Sequence, residues 1–319
     1  IGVIKQVNAF FPINESKFVK KILAQNDVIF SEKDNKYYII GYAAESFANM
    51  FNTNTKRPMV KGIISSKEDD SVFIIQAIIS TLITKPKNFG ENICFSIPGE
   101  PIDIGIKLPG DEEPSYTSIG YTPVHESIIH MYLESLGYTP RSINEGLAVV
   151  MSELGDDNFT GIGISMGGGM CNICLSYLSV PVITYSIKIG GDYIDAMVSK
   201  ELGEAATHVK TIKEETLNLT VLPNNRMEMA LYTKYSEVIN VLVKSMERIF
   251  ALSDRIPKIS SPIPIVLAGG TAMAIGCREK FESILKSITL PFRISNVRIA
   301  RDPLNAVAKG ALVMASTEE

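Results

Sequence analysis

The chain has 319 residues, 45% of them hydrophobic and 21% charged, with a formal net charge of −4. That length accommodates two domains or one large α/β unit, and the acidic balance leaves no electrostatic footprint for nucleic acid. No run approaches the roughly 18 uninterrupted apolar residues that a membrane span requires.

Residues 1–7 read as a strand entered in mid-pattern, with no start signal before Ile1, so a preceding segment is expected. Residues up to 60 suggest short strands and turns, of which 36–41 is the clearest strand, followed by a helix over 43–50. Lys20-Lys21 and Lys85-Pro86-Lys87 extend into no basic stripe and read as solvated surface. The apolar stretch 71–83 has helical length and follows Glu68-Asp69-Asp70, acids that suit a helix N-terminus. A buried strand is expected over 92–98, ended by Pro98, and a polar loop over 111–114. Val124, Ile128, Met131, Tyr132 and Leu136 recur at helical spacing over 123–136, with Gly137 as the stop.

A short strand at Ser142-Ile143 leads to a helix over 145–153. Strand 161–166 then runs into Gly167, Gly168 and Gly169, and strand 170–177 follows directly. Glycines joining two strands allow close approach by a bulky anion, because N–H groups without Cβ atoms form a nest. A tight hairpin with no ligand is the simpler alternative. Cys171 and Cys174 form a CxxC, the spacing of a redox pair or half a metal site. An odd spacing along a strand sends the two thiols to opposite faces, which favours a structural role. Four cysteines in a chain this long make no disulfide framework and point to a reducing cytoplasm.

A third strand over 182–189 turns at Gly190-Gly191-Asp192 into a helix running toward Leu202, with Asp192 as a candidate N-cap. Residues 227–252 contain a long amphipathic helix with Val238, Leu242, Met246 and Ile249 on one face. Strand 264–267, a second glycine turn at Gly269-Gly270-Thr271, helix 277–287 and strand 298–300 complete the pattern. A last helix is expected from Pro303, with Asp302 before it as N-cap. Strands mixed with helices, then alternating helix and strand, indicate an α/β architecture of two similar lobes. His125 and His130 stand at i and i+5 on one helix, too far round it to share a metal, and His208 is alone.

Four blocks in this order resemble the actin-like ATPase superfamily, which includes actin, MreB, FtsA and DnaK-type ATPase domains. Ile143-Asn144-Glu145-Gly146-Leu147-Ala148 resembles the connecting helix, and Ser165-Met166-Gly167-Gly168-Gly169-Met170-Cys171-Asn172 resembles the second phosphate loop. Ala268-Gly269-Gly270-Thr271 resembles the adenosine loop, and Asp302-Pro303-Leu304-Asn305-Ala306-Val307-Ala308-Lys309-Gly310-Ala311 the closing helix. Gly190-Gly191-Asp192 and Pro58-Met59-Val60-Lys61-Gly62-Ile63-Ile64 support the match, the latter in the manner of MreB and its branch.

The resemblance implies a two-lobed, ribonuclease H-like duplicated α/β fold with ATP or ADP and Mg2+ in the cleft. Residues 1–150, joined by 303–319, would form one lobe and 151–302 the other. The phosphates would meet Gly167, Gly168 and Gly169, with Ser165, Met170 and Asn172 beside them and Gly191 and Asp192 opposite. Gly269, Gly270 and Thr271 would flank the adenosine, with Lys213 and Glu214 near the purine or ribose; a solvated helix lysine is the alternative for Lys213. Glu145 would orient the attacking water, or else cap its helix. Gly146 and Gly310 would permit close helix crossing at the hinge.

The sequence also departs from the family pattern. The first phosphate hairpin, of form DxGT, is absent near Ile1. Ser165 and Asn172 replace the two acids of the second loop, and Met170-Cys171 its Thr-Thr pair. Neutral side chains supply no charge to hold Mg2+, which predicts slow turnover. The segment between Glu201 and Arg226 is short where MreB carries a small subdomain, which argues against polymerisation by MreB's geometry. The expected function is a cytoplasmic nucleotide-binding protein, possible as a slow ATPase with a cytoskeletal or assembly role. The alternative is a non-catalytic scaffold that binds itself or a protein partner.

Overall fold

Side-chain parity in one central strand organises the first part of the molecule. In the computed structural model, which describes residues 2–51, 53–65, 70–103, 105 and 121–317, the contacts divide the chain into two units. One comprises residues 1–91 with 127–139, the other 92–126 with 140–319.

The first unit begins with β1 (Phe10–Asn14), α1 (Lys17–Gln25), β2 (Phe30–Lys33) and β3 (Lys36–Ile40). β3 lies between the other two strands, antiparallel to both. Its Tyr37 and Ile39 pack with Leu23 of α1 and with Ala44 of α2 (Tyr42–Met50). Tyr38 and Ile40 point the other way. After the hairpin β4 (Met59–Val60) and β5 (Ile63–Ile64) comes α3 (Ser71–Leu82), whose Ile74 and Ile78 cover that second face. Period-two alternation therefore gives one three-stranded sheet two apolar layers. Asp70, at the N-cap of α3, makes no side-chain cap bond; its carboxylate accepts from Lys33 Nζ at 2.7 Å and Tyr38 Oη at 2.6 Å.

Both units share β6 (Glu91–Ile97), α4 (Tyr121–Ser135) and β7 (Tyr138–Asn144), since the division falls within these elements. The second unit continues with α5 (Glu145–Glu153), β8 (Gly161–Met166), β9 (Cys171–Tyr177) and β10 (Val180–Ile187). Next come α6 (Gly191–Leu202), α7 (Ala206–Thr216), α8 (Arg226–Ala251) and β11 (Ile263–Ala268). A single 3-10 turn (Gly270–Met273), α9 (Cys277–Leu285), β12 (Ile294–Ile299) and α10 (Ala306–Ser316) complete it.

Five strands form the sheet β10-β9-β8-β11-β12, with β8, β11 and β12 parallel and β9 antiparallel to both its neighbours, β8 and β10. Ile265 and Leu267 of β11 face the large core built with α6, α8 and α9. Val266 and Ala268 face Val149 and Val150 of α5 and Ala306 of α10. The all-buried strand pattern thus reflects helices on both faces of the sheet.

Four sequence expectations change. Residues 2–7 form no strand, and Ile1 lies outside the described residues, as does the polar loop expected over 111–114. Helix α1 went unread although Ser16 is its N-cap, accepting from the Val19 N–H at 3.1 Å. The last helix begins at Ala306 with Asn305 as N-cap, not at Pro303 after Asp302. Asp302 instead accepts from Asn305 Nδ2 and Lys309 Nζ, both at 2.8 Å. Helix α6 starts from Gly190, which places Asp192 in its first turn rather than at its cap.

Gly310 does permit the close helix crossing expected of it: a Cβ there would run into the Ala148 carbonyl of α5. Gly146 faces β9 rather than α10, its Cβ position lying 2.7 Å from the Cys174 amide nitrogen. Cys171 faces the large core, whereas Cys174 lies on the α5 side, as their odd spacing requires. All four cysteines are free.

Candidate functional site

The same alternation builds the site. Ile162, Ile164 and Met166 of β8, with Cys171, Ile173 and Leu175 of β9, enter the large core. The intervening residues face α5, and the antiparallel register pairs Ser165 directly with Asn172. Helix α5 approaches closely because Gly163 and Gly146 carry no side chains: a Cβ on Gly163 would strike the Gly146 carbonyl. Asn144 caps α5, its Oδ1 accepting from the Gly146 N–H at 2.9 Å. Glu145 is then left, in the first turn, to lie over the Ser165–Asn172 pair.

Ser165 Oγ donates to Glu145 Oε2 at 3.0 Å, and Asn172 Nδ2 donates to the same oxygen at 2.9 Å. The other end of the amide, Asn172 Oδ1, accepts from the Gly99 N–H at 2.8 Å. Ser165 is 4% and Asn172 1% exposed, so both are committed within the protein. Burial pushes the Glu145 carboxyl above its ordinary value, opposed by the two hydrogen bonds. Glu145 thus neither caps its helix nor stands free on the surface.

The hairpin closes through Gly167, whose N–H donates to the Met170 carbonyl at 2.9 Å. Among the described residues the amides of Gly168 and Gly169 donate no hydrogen bond, and Gly168 is exposed. The carbonyls of Gly167 and Gly168 accept from the Gly191 and Asp192 N–H groups at 3.1 and 2.8 Å, so the glycine turn caps α6. This contact needs a bare Cα at Gly190, where a Cβ would lie 3.0 Å from the Gly168 carbonyl carbon. Asp192 lies against Gly168, its Oδ1 3.1 Å from where a Gly168 Cβ would stand. Met170 is buried.

The second glycine turn arrives at the same place. Gly269 has φ +90°, and a Cβ there would strike the Met166 carbonyl. Its N–H donates to the Pro303 carbonyl at 2.8 Å, which explains the turn that precedes α10. Thr271 Oγ1 donates to the Gly167 carbonyl at 2.9 Å, and the Thr271 carbonyl accepts from Tyr235 Oη at 3.1 Å. Gly270, exposed at the start of the 3-10 turn, has an N–H with no acceptor among the described residues.

Lys213 is no solvated lysine. On α7 it is 9% exposed, and its Nζ reaches both oxygens of Asp195, at 2.7 and 2.8 Å, and the Gly191 carbonyl at 3.1 Å. Burial raises the Asp195 carboxyl despite the lysine beside it. Glu214, the next residue, is exposed. His125 is buried, and burial pulls it down to about 4.

Sequence reasoning missed Asp195 as the partner of Lys213, Gly99 as the donor to Asn172, and Tyr235 as the support of the second turn. Separations of 18, 73 and 36 residues carry no local signal. A buried lysine does require a carboxylate, but nothing in the sequence said that Lys213 was buried.

The turns fit a phosphate group through the uncommitted N–H groups of Gly168, Gly169 and Gly270. Magnesium fits poorly. The two residues at the loop's acidic positions are neutral, and both present hydrogen-bond donors to Glu145. Among the described residues no three His, Cys, Asp or Glu side chains gather to hold a metal ion.

A five-stranded mixed sheet with glycine turns converging at its strand ends, and helices on both faces, is consistent with an actin-like fold. The chain has the two-lobed α/β fold of the actin-like proteins. It belongs to the Volactin family, whose model matches residues 2–315. No curated protein matches it.

Among solved structures it is similar to the MamK double helical filament: 15% identity, 98% of this chain and 92% of that one covered, TM-score 0.69. It is also similar to MreB5 of Spiroplasma citri bound to ADP: 16% identity, 88% and 85% covered, TM-score 0.60. The ethanolamine utilization protein EutJ from Carboxydothermus hydrogenoformans matches at 16% identity, 82% and 79% covered, TM-score 0.51. Identities this low establish the fold. No helix among the described residues is long and apolar enough to cross a membrane.

Proposed function

We propose that this protein binds an adenine nucleotide, ATP or ADP, at the paired glycine turns and serves a cytoskeletal, self-assembling role in the cytoplasm. The observation that carries the reading is the 2.9 Å bond from Thr271 to Gly167, which brings the two turns together while the amides of Gly168, Gly169 and Gly270 find no acceptor among the described residues. A groove of about 580 Å3 adjoins the second turn, lined by Met273, Ile275, Arg278, Ile299 and Pro303, with room for a base and sugar. Residues 1–150 with 303–319 form one lobe in this reading and 151–302 the other; the seating of α10 on α5 through Gly310 supports the joining of 303–319 to the first.

The similar structures lend support: one MreB5 structure is bound to ADP, a MamK mutant is bound to AMPPNP, and MamK forms a double helical filament. Turnover is slow in this reading, because Glu145 is held by Ser165 and Asn172 rather than directed at a water. The same observation favours a second reading, a scaffold that assembles without hydrolysis.

Calorimetry with ADP and ATP tests the first reading, and absence of both heat and thermal shift would sink it. Pelleting and electron microscopy with and without nucleotide separate the two. Filaments that form equally in both conditions, with no phosphate released, favour the scaffold.

A further inference from the structure

We infer that the site takes the phosphates of its nucleotide without a divalent cation, using backbone amides in place of a metal bridge. The inference rests on the nucleotide reading above and deepens it.

Magnesium at a phosphate site keeps several of its waters, and carboxylates hold them as acceptors. Here the two positions that flank the triple glycine do the opposite. Ser165 and Asn172 point their donor hydrogens at Glu145 Oε2, at 3.0 and 2.9 Å. The acceptor oxygen of Asn172 is already taken by the Gly99 N–H at 2.8 Å. A cation's water would therefore meet only neutral lone pairs, on the serine hydroxyl and the amide oxygen, and no anionic acceptor from this pair. Turning the amide over to free its oxygen would place Nδ2 against the Gly99 N–H and leave Glu145 short of a donor, at a site where unsatisfied polar groups are costly.

The remaining charges nearby do not replace the missing acids. Asp195 is paired with Lys213 at 2.7 Å. Asp192 lies against Gly168 from the α6 side, so one carboxylate borders the turn, and among the described residues no two others complete a set with it. Glu145 is drawn into the protein by its two donors. What both turns leave without an acceptor among the described residues is N–H: Gly168, Gly169 and Gly270. Such groups bind phosphate oxygens directly and need no metal to do so.

The test is calorimetric titration of the full chain with ADP, in EDTA and in excess Mg2+. We expect dissociation constants within about twofold of each other, whereas a metal-bridged site loses about tenfold or more on chelation. In Asn172→Asp a carboxylate returns beside Glu145, and the Mg2+-to-EDTA affinity ratio should rise about tenfold, since two neighbouring acids require a cation. Ser165→Asp is the parallel variant should Asn172→Asp unfold, with circular dichroism reporting the fold of each. Wild-type binding that appears only with Mg2+ overturns the inference and leaves the nucleotide reading standing. Folded acidic variants whose binding stays indifferent to Mg2+ also overturn it. No binding in either buffer ends the nucleotide reading and takes this inference with it.

Discussion

Thr271 and Gly167 lie 104 residues apart in the chain, yet the threonine hydroxyl donates to the glycine carbonyl at 2.9 Å. The bond joins the turn after β11 to the turn after β8, at the shared end of two parallel neighbours. Through its own carbonyl Thr271 also takes the hydroxyl of Tyr235 on α8. One residue thus positions both glycine turns.

Replacing Thr271 with valine keeps the shape and removes the donor. The Gly167 carbonyl keeps the Gly191 N–H but loses its second partner, and the variant should unfold about 1–2 kcal/mol more easily. Urea denaturation measures this, and Thr271→Ser should recover most of the loss. A Thr271→Val protein as stable as the parent would show that the hydroxyl bond is dispensable.

Lys213 and Asp195 form a buried pair, each side chain 8% exposed. Lys213→Met leaves the Asp195 carboxylate uncompensated, at a cost of about 3–5 kcal/mol. Adding Asp195→Leu removes the orphaned charge, so the double variant should be more stable than Lys213→Met alone. A double-mutant cycle by thermal melting reads the coupling directly. Equal melting of single and double variants would contradict the pairing.

Below neutrality His125 sets a limit on stability. Its folded value near 4, against 6.5 unfolded, means that the unfolded chain binds the proton more readily between those values. The histidine's contribution is full above pH 6.5 and is lost as pH falls toward 4, by roughly 2–4 kcal/mol at the limit. Glu126 beside it opposes the shift in part. His125→Gln, compared with the parent across this range, should flatten that part of the profile.

Glu145 acts with the opposite sign. Burial raises its carboxyl above 4.5, so the folded chain holds the proton more tightly than the unfolded chain. Its contribution is full below 4.5 and declines as pH rises through the folded value. Glu145→Gln keeps an oxygen to accept from Ser165 and Asn172 without the charge. Stability of that variant at pH 8 should match or exceed the parent's, read from denaturant midpoints; a marked loss would mean that the carboxylate charge itself is required.

Where the answer was local, the sequence alone determined it. Alternation in β8 and β9, the glycines at 167–169 and 269–270, and the helical spacing of α8 placed these elements to within a residue or two. The order of the blocks was enough to anticipate the actin-like fold, and neutral Ser165 and Asn172 at the second loop were visible directly. The odd spacing of Cys171 and Cys174 correctly set them on opposite faces.

Tertiary structure decided which polar groups meet. For Lys213 the sequence left open a nucleotide contact or a solvated helix lysine, and only the packing of α7 on α6 buries it against Asp195. Asp302 and Pro303 looked like a helix start, but the Pro303 carbonyl is drawn to the Gly269 N–H and the helix begins three residues later. The role of Glu145 rests on register: one residue's slip between β8 and β9 would part Ser165 from Asn172. Hydrogen bonds between distant segments depend on positions that the whole fold fixes, and no local propensity encodes them.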